Sequence, residues 1–305
     1  MVGDGGCRMT DKPAPQPDER DGGCGVSAIQ PRLDRTLDDM IAEAHAIIDE
    51  SIDRWQPESV WAGFSGGNDS TVMLDVVRRH PALDGALHVD TTIGIQRTRE
   101  FVREVCDQWG LDLRVVRPPR SYDELVRRQG FYGPKDHRYA YIQLKKEAIR
   151  EFKRQMLEPR KSTRVMIVTG MRASESTTRM SHGSGDRLEE RVVWSNPIRH
   201  WTGDDMAEYR QRHPDLPRNP VNHALGKSGE CLCGCFSVGP VELPIIRELD
   251  PETADQIERL QAELAESGSP YCRWGPGGEG SVVAAGPMCT GCDALFEDAT
   301  GEGAA

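Results

Sequence analysis

Residues 60–74, which indicate the centre of the fold, read Val60-Trp61-Ala62-Gly63-Phe64-Ser65-Gly66-Gly67-Asn68-Asp69-Ser70-Thr71-Val72-Met73-Leu74. Its first residues are apolar with the character of a β-strand, and they run directly into Ser-Gly-Gly. From Ser70 onwards the apolar residues Val72, Met73, Val76 and Val77 recur on one face of a helix. The stretch therefore predicts a strand, a tight loop and a helix that starts at Ser70.

The loop between that strand and that helix has the features of an anion site. Gly66 and Gly67 carry no Cβ, so the backbone can approach a ligand closely. The helix points its free N–H groups and the positive end of its dipole at the same place, which suits phosphate. Ser65 and Ser70 add hydroxyl donors, and Asp69 either caps the helix or helps to position a metal ion carried in by a polyphosphate. A glycine-rich turn without a ligand is the alternative.

Strand and helix patterns alternate along the chain around this stretch. Strands are predicted at Ala86–Asp90, Leu113–Val116, Arg164–Thr169 and Val192–Trp194. One helix is predicted to start at Thr36, where Asp39 completes a capping box. Further helices are predicted over Thr98–Trp109, His137–Met156 and Pro251–Ser267. This alternation predicts an α/β fold with a doubly wound, mostly parallel sheet. Ligands of such sheets bind beyond the carboxyl ends of the strands, which is where Ser65–Ser70 fall.

The 305 residues divide into four predicted regions. Residues 1–34 are rich in Gly, Asp and Pro and are predicted to be a disordered tail. Residues 35–212 are predicted to form the α/β domain that carries the loop. Residues 213–298 are predicted to form a cysteine-rich, metal-binding appendage of helical and irregular structure, followed by a frayed tail over 299–305.

Composition predicts a cytoplasmic protein with no membrane partner. No apolar run approaches the ~20 residues that span a bilayer, and the N-terminal residues contain no export segment.

The net charge of −11 argues against indiscriminate nucleic-acid binding. Between Arg97 and Arg164, however, 18 Lys and Arg stand against 10 Asp and Glu. This basic middle suits a phosphate-bearing substrate or a nucleic-acid partner, although arginine-rich helix faces produce the same count.

Two further groups of polar residues follow predicted strands. Asp90 and Thr91 lie at the end of the second strand, where they can bond a ribose hydroxyl or simply serve a turn. The other group follows the fourth strand and combines a glycine, hydroxyl and carboxyl groups and two guanidinium groups, namely Gly170, Arg172, Glu175, Ser176 and Arg179. Forked guanidinium donors suit phosphate or sulfate, whereas a capped helix start with a solvated Arg172 is the alternative.

Six cysteines fall in the last quarter of the chain, and reduced thiols there predict a metal site rather than disulfides. A CxC followed by a CxxC supplies four ligands on two tight loops, enough for Zn²⁺ or a [4Fe–4S] cluster. The predicted ligands are Cys231, Cys233, Cys289 and Cys292, with Cys235 and Cys272 as alternates. The spacing does not choose between the two metals, and several unrelated buried or exposed cysteines are the alternative.

Four motifs, in order along the chain, resemble those of the phosphoadenosine phosphosulfate (PAPS) reductase family, a branch of the PP-loop ATP pyrophosphatases. The loop has that family's Ser-Gly-Gly-x-Asp-Ser, not the Gly-Lys-Ser/Thr of Walker loops or the G-x-G-x-x-G of dinucleotide folds. The other motifs are His88–Thr91 with Gln96 and Thr98, Gly170–Ser176 with Arg179, and Asn196–Ile198 with Trp201-Thr202, followed by Asn219–Val221. Together they span roughly residues 55–240.

The resemblance implies an adenine nucleotide α-hydrolase-like fold that binds ATP or PAPS, with Mg²⁺, at the loop. It implies that the catalytic residues are Ser65, Asp69, Arg172 and Arg179. The nucleotide contacts that it implies are Ser65, Gly66, Gly67, Asn68, Asp69, Ser70, Asp90, Thr91, Gly170, Arg172, Glu175 and Ser176. At the cysteines the resemblance favours a [4Fe–4S] cluster over zinc.

The sequence departs from the reductases of this family in two places. Their catalytic Glu-Cys-Gly-Leu-His has no match, since Glu230-Cys231-Leu232-Cys233 shares only the first two residues. The tandem cysteines that bind a cluster in adenosine phosphosulfate (APS) reductases are also missing, because the comparable helix has His137–Tyr141. The pattern more closely resembles the DNA phosphorothioation branch, in which an ATP pyrophosphatase with C-terminal cysteines works with a cysteine desulfurase.

We therefore expect an enzyme that adenylates an acceptor with ATP, releases pyrophosphate and then transfers sulfur. Nucleic acid is the candidate acceptor, and a cysteine desulfurase is the candidate sulfur donor. The alternatives are a PAPS or APS reductase that releases sulfite, a tRNA thiolation enzyme, and a non-catalytic nucleotide-binding protein. The sequence leaves the acceptor, the donor and the oligomeric state open, a homodimer included.

Overall fold

The computed structural model describes residues 35–157, 162–173 and 186–275. The predicted tail over 1–34 lies outside these residues, as do 158–161, 174–185 and 276–305. Within the described ranges, no helix is both long enough and apolar enough to cross a membrane.

A six-stranded sheet lies at the centre of the described part of the chain. Its strands are β1 (Ser59–Gly63), β2 (Gly85–Val89), β3 (Asp112–Val116), β4 (Val165–Val168), β5 (Asp186–Glu189) and β6 (Val192–Ser195). They lie in the order β3-β2-β1-β4-β6-β5, and all neighbours are parallel except β5 and β6. This confirms the predicted doubly wound, mostly parallel sheet. Because the strand order reverses between β1 and β4, the crevice at their carboxyl ends is the expected place for a ligand.

The edge of the sheet differs from the prediction. The sequence predicts Val192–Trp194 as the fifth strand, but β6 is the sixth, because β5 precedes it and pairs with it antiparallel. The two strands are joined by a tight turn in which Glu190 has φ +54°. β5 reads Asp-Arg-Leu-Glu, and a four-residue strand with three charged residues lacks the apolar run on which strand predictions depend.

Helices flank the sheet and extend beyond it. They are α1 (Leu37–Trp55), α2 (Asn68–Val77), α3 (Gln96–Trp109), α4 (Tyr122–Gln129), α5 (His137–Tyr141), α6 (Glu147–Met156), α7 (Gly203–Arg212), α8 (Pro220–Leu225), α9 (Gly239–Leu249) and α10 (Pro251–Glu266). A π-helical turn, Ile142–Lys146, joins α5 to α6. The helix predicted over His137–Met156 is therefore present, with a change of winding at its middle.

The ends of the predicted helices are close to the observed ones. α1 has the predicted capping box between Thr36 and Asp39, and α3 ends as predicted at Gly110, whose φ is +65°. α2 begins at Asn68, two residues before the predicted start. The sequence gives no prediction for α4, α7, α8 and α9. In α9 this is because Pro244 lies inside the helix, where sequence rules expect a break.

Alternate residues of the strands face two different hydrophobic clusters. On one face, β1 and β2 contribute Val60, Ala62 and Ala86 to a core shared with α1, α2, α3 and α7. On the other face, Trp61 and Leu87 pack with Phe152 of α6. Burial on both faces explains why the sequences of β1, β4 and β6 are nearly continuous apolar runs.

A third hydrophobic cluster lies beyond the carboxyl ends of the strands. It joins Ile93 and Ile95, which follow β2, to α4, α5, α9 and α10. Residues 231–235, which we call the cysteine segment, run through this cluster and place Leu232 at 0% exposure. The Tyr122 hydroxyl donates to the Cys233 carbonyl at 2.9 Å, and the Trp274 indole donates to the Leu232 carbonyl at 2.8 Å. The third cluster therefore fixes the cysteine segment in place.

Candidate functional site

Residues 65–70, which we call the phosphate loop, connect β1 to α2. Gly66 has φ +73°, a backbone conformation that glycine adopts without strain. A Cβ at this position would come within 3.1 Å of the Thr98 side chain. Gly67 occupies the N-cap position of α2 and makes no side-chain cap, so the N–H groups of the first helical turn are free to face a ligand. The loop therefore has the predicted backbone conformation, and its role as an anion site stays a prediction.

Two serine hydroxyls lie together in this loop. Ser65 Oγ and Ser70 Oγ are 3.1 Å apart, and the Ser70 hydroxyl also donates to the Gly67 carbonyl at 2.9 Å. The Gly67 N–H donates to Ser65 Oγ at 3.3 Å. Because each serine is bonded to the loop itself, both hydroxyls are held at the edge of the crevice where the sequence predicts them.

Hydrogen bonds from distant residues hold the phosphate loop in its conformation. The Asn219 side-chain amide donates to the Gly66 carbonyl at 3.0 Å and to Thr98 Oγ1 at 3.1 Å. On the other side, His88 Nδ1 donates to the Phe64 carbonyl at 2.8 Å, and burial lowers the pKa of its imidazole. The sequence identifies Asn219 and His88 only as parts of motifs. Each of them contacts the loop from a position more than 20 residues away in the sequence, so no local pattern predicts that it supports the loop.

Asp69 and Arg172 form a buried ion pair beside the phosphate loop. Arg172 donates from Nε and Nη2 to the same oxygen, Oδ2 of Asp69, at 3.0 and 2.9 Å. Both residues are less than 8% exposed. Gly170 allows this approach, since a Cβ there would lie 3.2 Å from the Asp69 carbonyl oxygen. The interpretation of Asp69 as a helix cap is wrong, because the cap is Gly67 and the Asp69 carboxylate is directed to Arg172.

A cavity of about 200 Å³ opens next to the phosphate loop. Its apolar wall includes Leu87, Val89, Ile149, Ile167 and Trp194, and its polar wall includes Ser65, Ser70, Lys145, Lys227 and Glu230. The Trp194 indole N–H is buried and has no hydrogen-bond partner among the described residues. A cavity lined both by apolar side chains and by hydroxyl and ammonium groups suits a ligand that combines a flat base with phosphates.

Asp90 and Thr91 do not line this cavity, and both are bonded within the protein. Asp90 accepts hydrogen bonds from the Thr92 N–H at 3.0 Å and from Arg117 Nε at 2.9 Å. Burial favours the neutral carboxyl, but these bonds outweigh it and lower the pKa of Asp90. Thr91 Oγ1 donates to the Glu230 carbonyl at 2.8 Å. Their predicted contacts to a nucleotide stay predictions.

The cysteine segment begins at the wall of the same cavity. Lys145 donates to Glu230 at 3.0 Å, and Cys231 lines the cavity beside this ion pair. A hydrogen bond with Cys233, together with burial, raises the pKa of the Cys231 thiol well above its ordinary value. Cys233 and Cys235 are buried within the third cluster, at 8% and 1% exposure.

The predicted metal ligands are only partly described. Within 35–157, 162–173 and 186–275, no three or more His, Cys, Asp or Glu side chains are arranged to hold a metal ion. Cys231, Cys233, Cys235 and Cys272 are free thiols, and Cys289 and Cys292 lie outside the described residues. The described cysteines alone therefore do not fit zinc or an iron–sulfur cluster, and the four-ligand site stays a prediction.

The remaining site predictions divide between the described and undescribed residues. Glu175, Ser176 and Arg179 lie outside the described ranges, so their roles stay predictions. Lys227, on the cavity wall, has no counterpart among the predictions. Its only sequence clue is its place four residues before Cys231, and a single lysine in an irregular segment is too common to indicate a site.

The sequence matches the family model described as "Phosphoadenosine phosphosulfate reductase domain" over residues 59–239. A phosphoadenosine 5′-phosphosulfate reductase of Xylella fastidiosa (strain M23) is 28% identical over 206 residues, which cover 67% of this chain and 79% of the relative. The uncharacterized protein MJ0973 of Methanocaldococcus jannaschii is 27% identical over 69% of this chain, which is 50% of its own length.

Solved structures resemble the chain more weakly. The PAPS reductase of Candida auris, solved as a phosphate complex, is 16% identical with a TM-score of 0.45, over 61% of this chain and 89% of that chain. The U34-tRNA thiolase NcsA of Methanococcus maripaludis, solved with its [4Fe–4S] cluster, is 16% identical with a TM-score of 0.45, over 74% of each chain. The family match, by contrast, covers more than half of the sequence, from β1 to the start of α9. The chain therefore belongs to the PAPS reductase family of the PP-loop superfamily.

Proposed function

We propose that this protein binds ATP and joins its AMP to an acceptor oxygen, releasing pyrophosphate as the first half of a sulfur transfer. The observation that carries the proposal is the phosphate loop at the switch point of the sheet. Its Gly66–Gly67 backbone, its paired hydroxyls and the start of α2 converge on one crevice. Groups fixed in this way stabilise negative charge on a leaving pyrophosphate without having to reorganise.

The cavity accounts for the other end of the nucleotide. Leu87, Val89 and Ile167 supply an apolar surface for a base, and Trp194 lines the same cavity. Phosphates lying on the loop amides would then place the α-phosphorus between the two walls. Attack by an acceptor oxygen forms an oxygen–phosphorus bond, breaks the bond to the β-phosphate and converts the acceptor oxygen into part of a good leaving group.

The second half of the proposal concerns sulfur. The terminal sulfur of a persulfide supplied by a cysteine desulfurase attacks the activated acceptor, and AMP leaves with the acceptor oxygen. A second thiol then attacks the donor's sulfur and breaks the sulfur–sulfur bond, so that the transferred sulfur stays on the acceptor and the thiol and the donor are joined in a disulfide. Nucleic acid is the proposed acceptor, because the basic stretch between Arg97 and Arg164 includes Lys145 on the cavity wall. No step is assigned to a metal centre, since the described cysteines do not form one.

A PAPS reductase that releases sulfite is the second candidate. Two observations favour it, namely the reductase relatives and the place of Cys231 on the cavity wall. That reaction needs a thiolate that attacks the sulfur atom, followed by a dithiol that resets the enzyme. The Glu-Cys-Gly-Leu-His of the reductases is not present here, since Leu232 and Cys233 follow Glu230 and Cys231.

One assay separates the two functions. The purified protein is incubated with MgATP or with PAPS, each with and without nucleic acid, a persulfide donor and thioredoxin, and pyrophosphate, AMP and sulfite are measured. We expect pyrophosphate from ATP, at a rate that Ser65→Ala lowers at least about tenfold because a hydroxyl is lost at the loop. Ser267→Ala, at an exposed position after α10, is the matched control. Sulfite from PAPS that is lost in Cys231→Ser would make the reductase the correct function.

A further inference from the structure

A third serine lies beside the phosphate loop, although it is distant from the loop in the sequence. Ser228 belongs to the irregular segment between α8 and the cysteine segment, and it lines the same cavity as Ser65 and Ser70. The three serines meet at Gly67, the N-cap residue of α2. A Cβ at this position would lie 3.3 Å from Ser65 Oγ, 3.5 Å from Ser228 Cβ and 3.8 Å from Ser70 Oγ. Gly67 therefore keeps open a space that is bordered by three serine side chains and the start of α2.

Hydrogen bonds fix the position of Ser228 relative to the phosphate loop. Thr98 Oγ1 donates to the Ser228 carbonyl at 2.5 Å. The Asn219 side-chain amide donates to the same carbonyl at 3.4 Å and to the Gly66 carbonyl at 3.0 Å, so one side chain holds both segments. A ligand at the loop would therefore meet Ser228 in a position that is already fixed, which is the arrangement that stabilises charge without reorganisation.

The three hydroxyl groups differ in how their protons are used. Ser70 donates its proton to the Gly67 carbonyl at 2.9 Å. Across the 3.1 Å between the two Oγ atoms, Ser65 is then the donor to Ser70 and has to break this bond before it donates to a ligand. Ser228 Oγ accepts a hydrogen bond from the Glu230 N–H at 3.3 Å, and it donates to no acceptor within 35–157, 162–173 and 186–275. Of the three, Ser228 therefore gives its proton to a ligand at the lowest cost.

We infer that Ser228 donates a hydrogen bond to the phosphoryl oxygens of the polyphosphate at the phosphate loop, as a third hydroxyl supplied from outside the loop. The inference rests on the proposed function and adds a binding residue to its phosphate site. A hydroxyl that donates to a charged phosphoryl oxygen forms a charge-assisted bond, which is roughly twice as strong as a bond between neutral groups.

Titration calorimetry on the full-length protein tests this role with two probes, inorganic pyrophosphate for the phosphates and adenosine for the rest of the nucleotide. Ser228→Ala removes the hydroxyl. Ser269→Ala is the matched control, because Ser269 Oγ accepts the Tyr271 N–H at 3.3 Å, just as Ser228 Oγ accepts that of Glu230, but does not line the cavity. Gly67→Ala is a second test variant. Its Cβ would fill the space between the serines, and the φ of −79° at this position is one that alanine adopts without strain.

We expect Ser228→Ala to bind pyrophosphate about tenfold more weakly, because one charge-assisted hydrogen bond is lost, and to bind adenosine as wild type does. Gly67→Ala should weaken pyrophosphate binding by at least as much, and Ser269→Ala should change neither affinity. Wild-type affinity for pyrophosphate in either test variant would overturn the inference. So would an equal loss of adenosine binding in Ser228→Ala, because the hydroxyl would then only shape the cavity wall.

Failure of this inference can be told apart from failure of the proposed function. If pyrophosphate binding depends on Ser228 but the protein releases no pyrophosphate from MgATP, the proposed function fails and this inference stands. If the protein releases pyrophosphate from MgATP while Ser228→Ala keeps wild-type affinity for it, this inference fails alone. Wild-type protein that binds no pyrophosphate at all would also overturn the inference.

Discussion

The phosphate loop and the cysteine segment line the same cavity, but different forces hold them. The loop is fixed by backbone conformation at Gly66 and by hydrogen bonds from polar side chains such as Asn219. The cysteine segment is fixed by burial in the third cluster, which encloses Cys233 and Cys235. The loop therefore presents polar groups to a ligand, whereas of the three thiols in the segment only Cys231 reaches the cavity wall.

Because the loop carries amides and hydroxyls and the cysteine segment carries thiols, the two sides of the cavity suit different chemistry. A site built from amides and hydroxyls is ready for phosphate without any change of charge state. A site built on thiols needs a thiolate, and the bond to Cys233 and burial both keep Cys231 in its thiol form. Variants in the phosphate loop and in the cysteine segment test whether the two regions differ in this way.

The largest effect is expected for metal binding on the cysteine side. The described thiols do not form a metal site by themselves, so the predicted site depends on Cys289 and Cys292, which lie outside the described residues. Anaerobically purified protein is expected to hold about four irons, absorbing at roughly 400 nm, or about one zinc per chain. Cys289→Ser combined with Cys292→Ser should remove all of it, while Cys106→Ala should remove none. Wild-type protein free of both metals would contradict the prediction.

The next effect is expected on the loop side, in the free energy of unfolding. Asp69→Ala removes the carboxylate that accepts two hydrogen bonds from the Arg172 guanidinium, a group that is 6% exposed. Breaking a buried ion pair by removing one partner costs about 3–5 kcal/mol. Urea unfolding followed by circular dichroism measures the loss, with Asp107→Ala on the exposed face of α3 as control. If Asp69→Ala were as stable as wild type, the pair would not hold β4 and α2 together.

A smaller effect isolates the conformation of the loop. Gly66 and Gly268 both have φ +73°, but a Cβ at Gly268 meets nothing within 4 Å, whereas at Gly66 it would lie 3.1 Å from Thr98. Both alanine variants share a backbone cost of about 1–2 kcal/mol. Gly66→Ala should lose roughly a further 1 kcal/mol through overpacking and should also weaken pyrophosphate binding. Equal stability and equal pyrophosphate affinity in the two variants would show that the loop tolerates a side chain.

The sequence predicts what is local in this molecule. The phosphate loop is recognisable because Ser65–Ser70 carry their conformation and their donors within six residues. The central strands are recognisable because burial on both faces makes them apolar throughout. The capping box of Thr36 and Asp39 is equally local.

What the sequence does not predict depends on residues that are distant along the chain. Nothing near Asp69 indicates that its partner lies 103 residues away in Arg172, so the local interpretation of a helix cap was reasonable but wrong. Likewise, nothing near Asp90 indicates that Arg117, from beyond β3, donates a hydrogen bond to its carboxylate. α9 is hidden by Pro244 because only packing in the third cluster compensates for the interrupted helix.

The smallest effect contrasts the cysteine segment with Cys106, a thiol on the loop side. Cys106 lies in α3, is 0% exposed, and packs in the same core as Phe64. Burial raises the pKa of its thiol to about 12, against about 8.5 in an unfolded chain. Above about pH 8.5 the unfolded state loses this proton and the folded state keeps it, so the free energy of unfolding falls as the pH rises.

Cys106→Ala removes this titration and provides the measurement. The contribution of Cys106 is fully present below about pH 8.5 and is lost progressively toward pH 12. The stability advantage of wild type over Cys106→Ala should therefore shrink by about 1 kcal/mol between pH 8 and pH 9.5. Between pH 6 and pH 8 the thiol keeps its proton in both the folded and the unfolded state, so the stability difference between wild type and Cys106→Ala should stay constant. This range serves as the control. A difference that stays constant up to pH 9.5 would mean that the folded core admits the thiolate and that burial does not keep Cys106 in its thiol form.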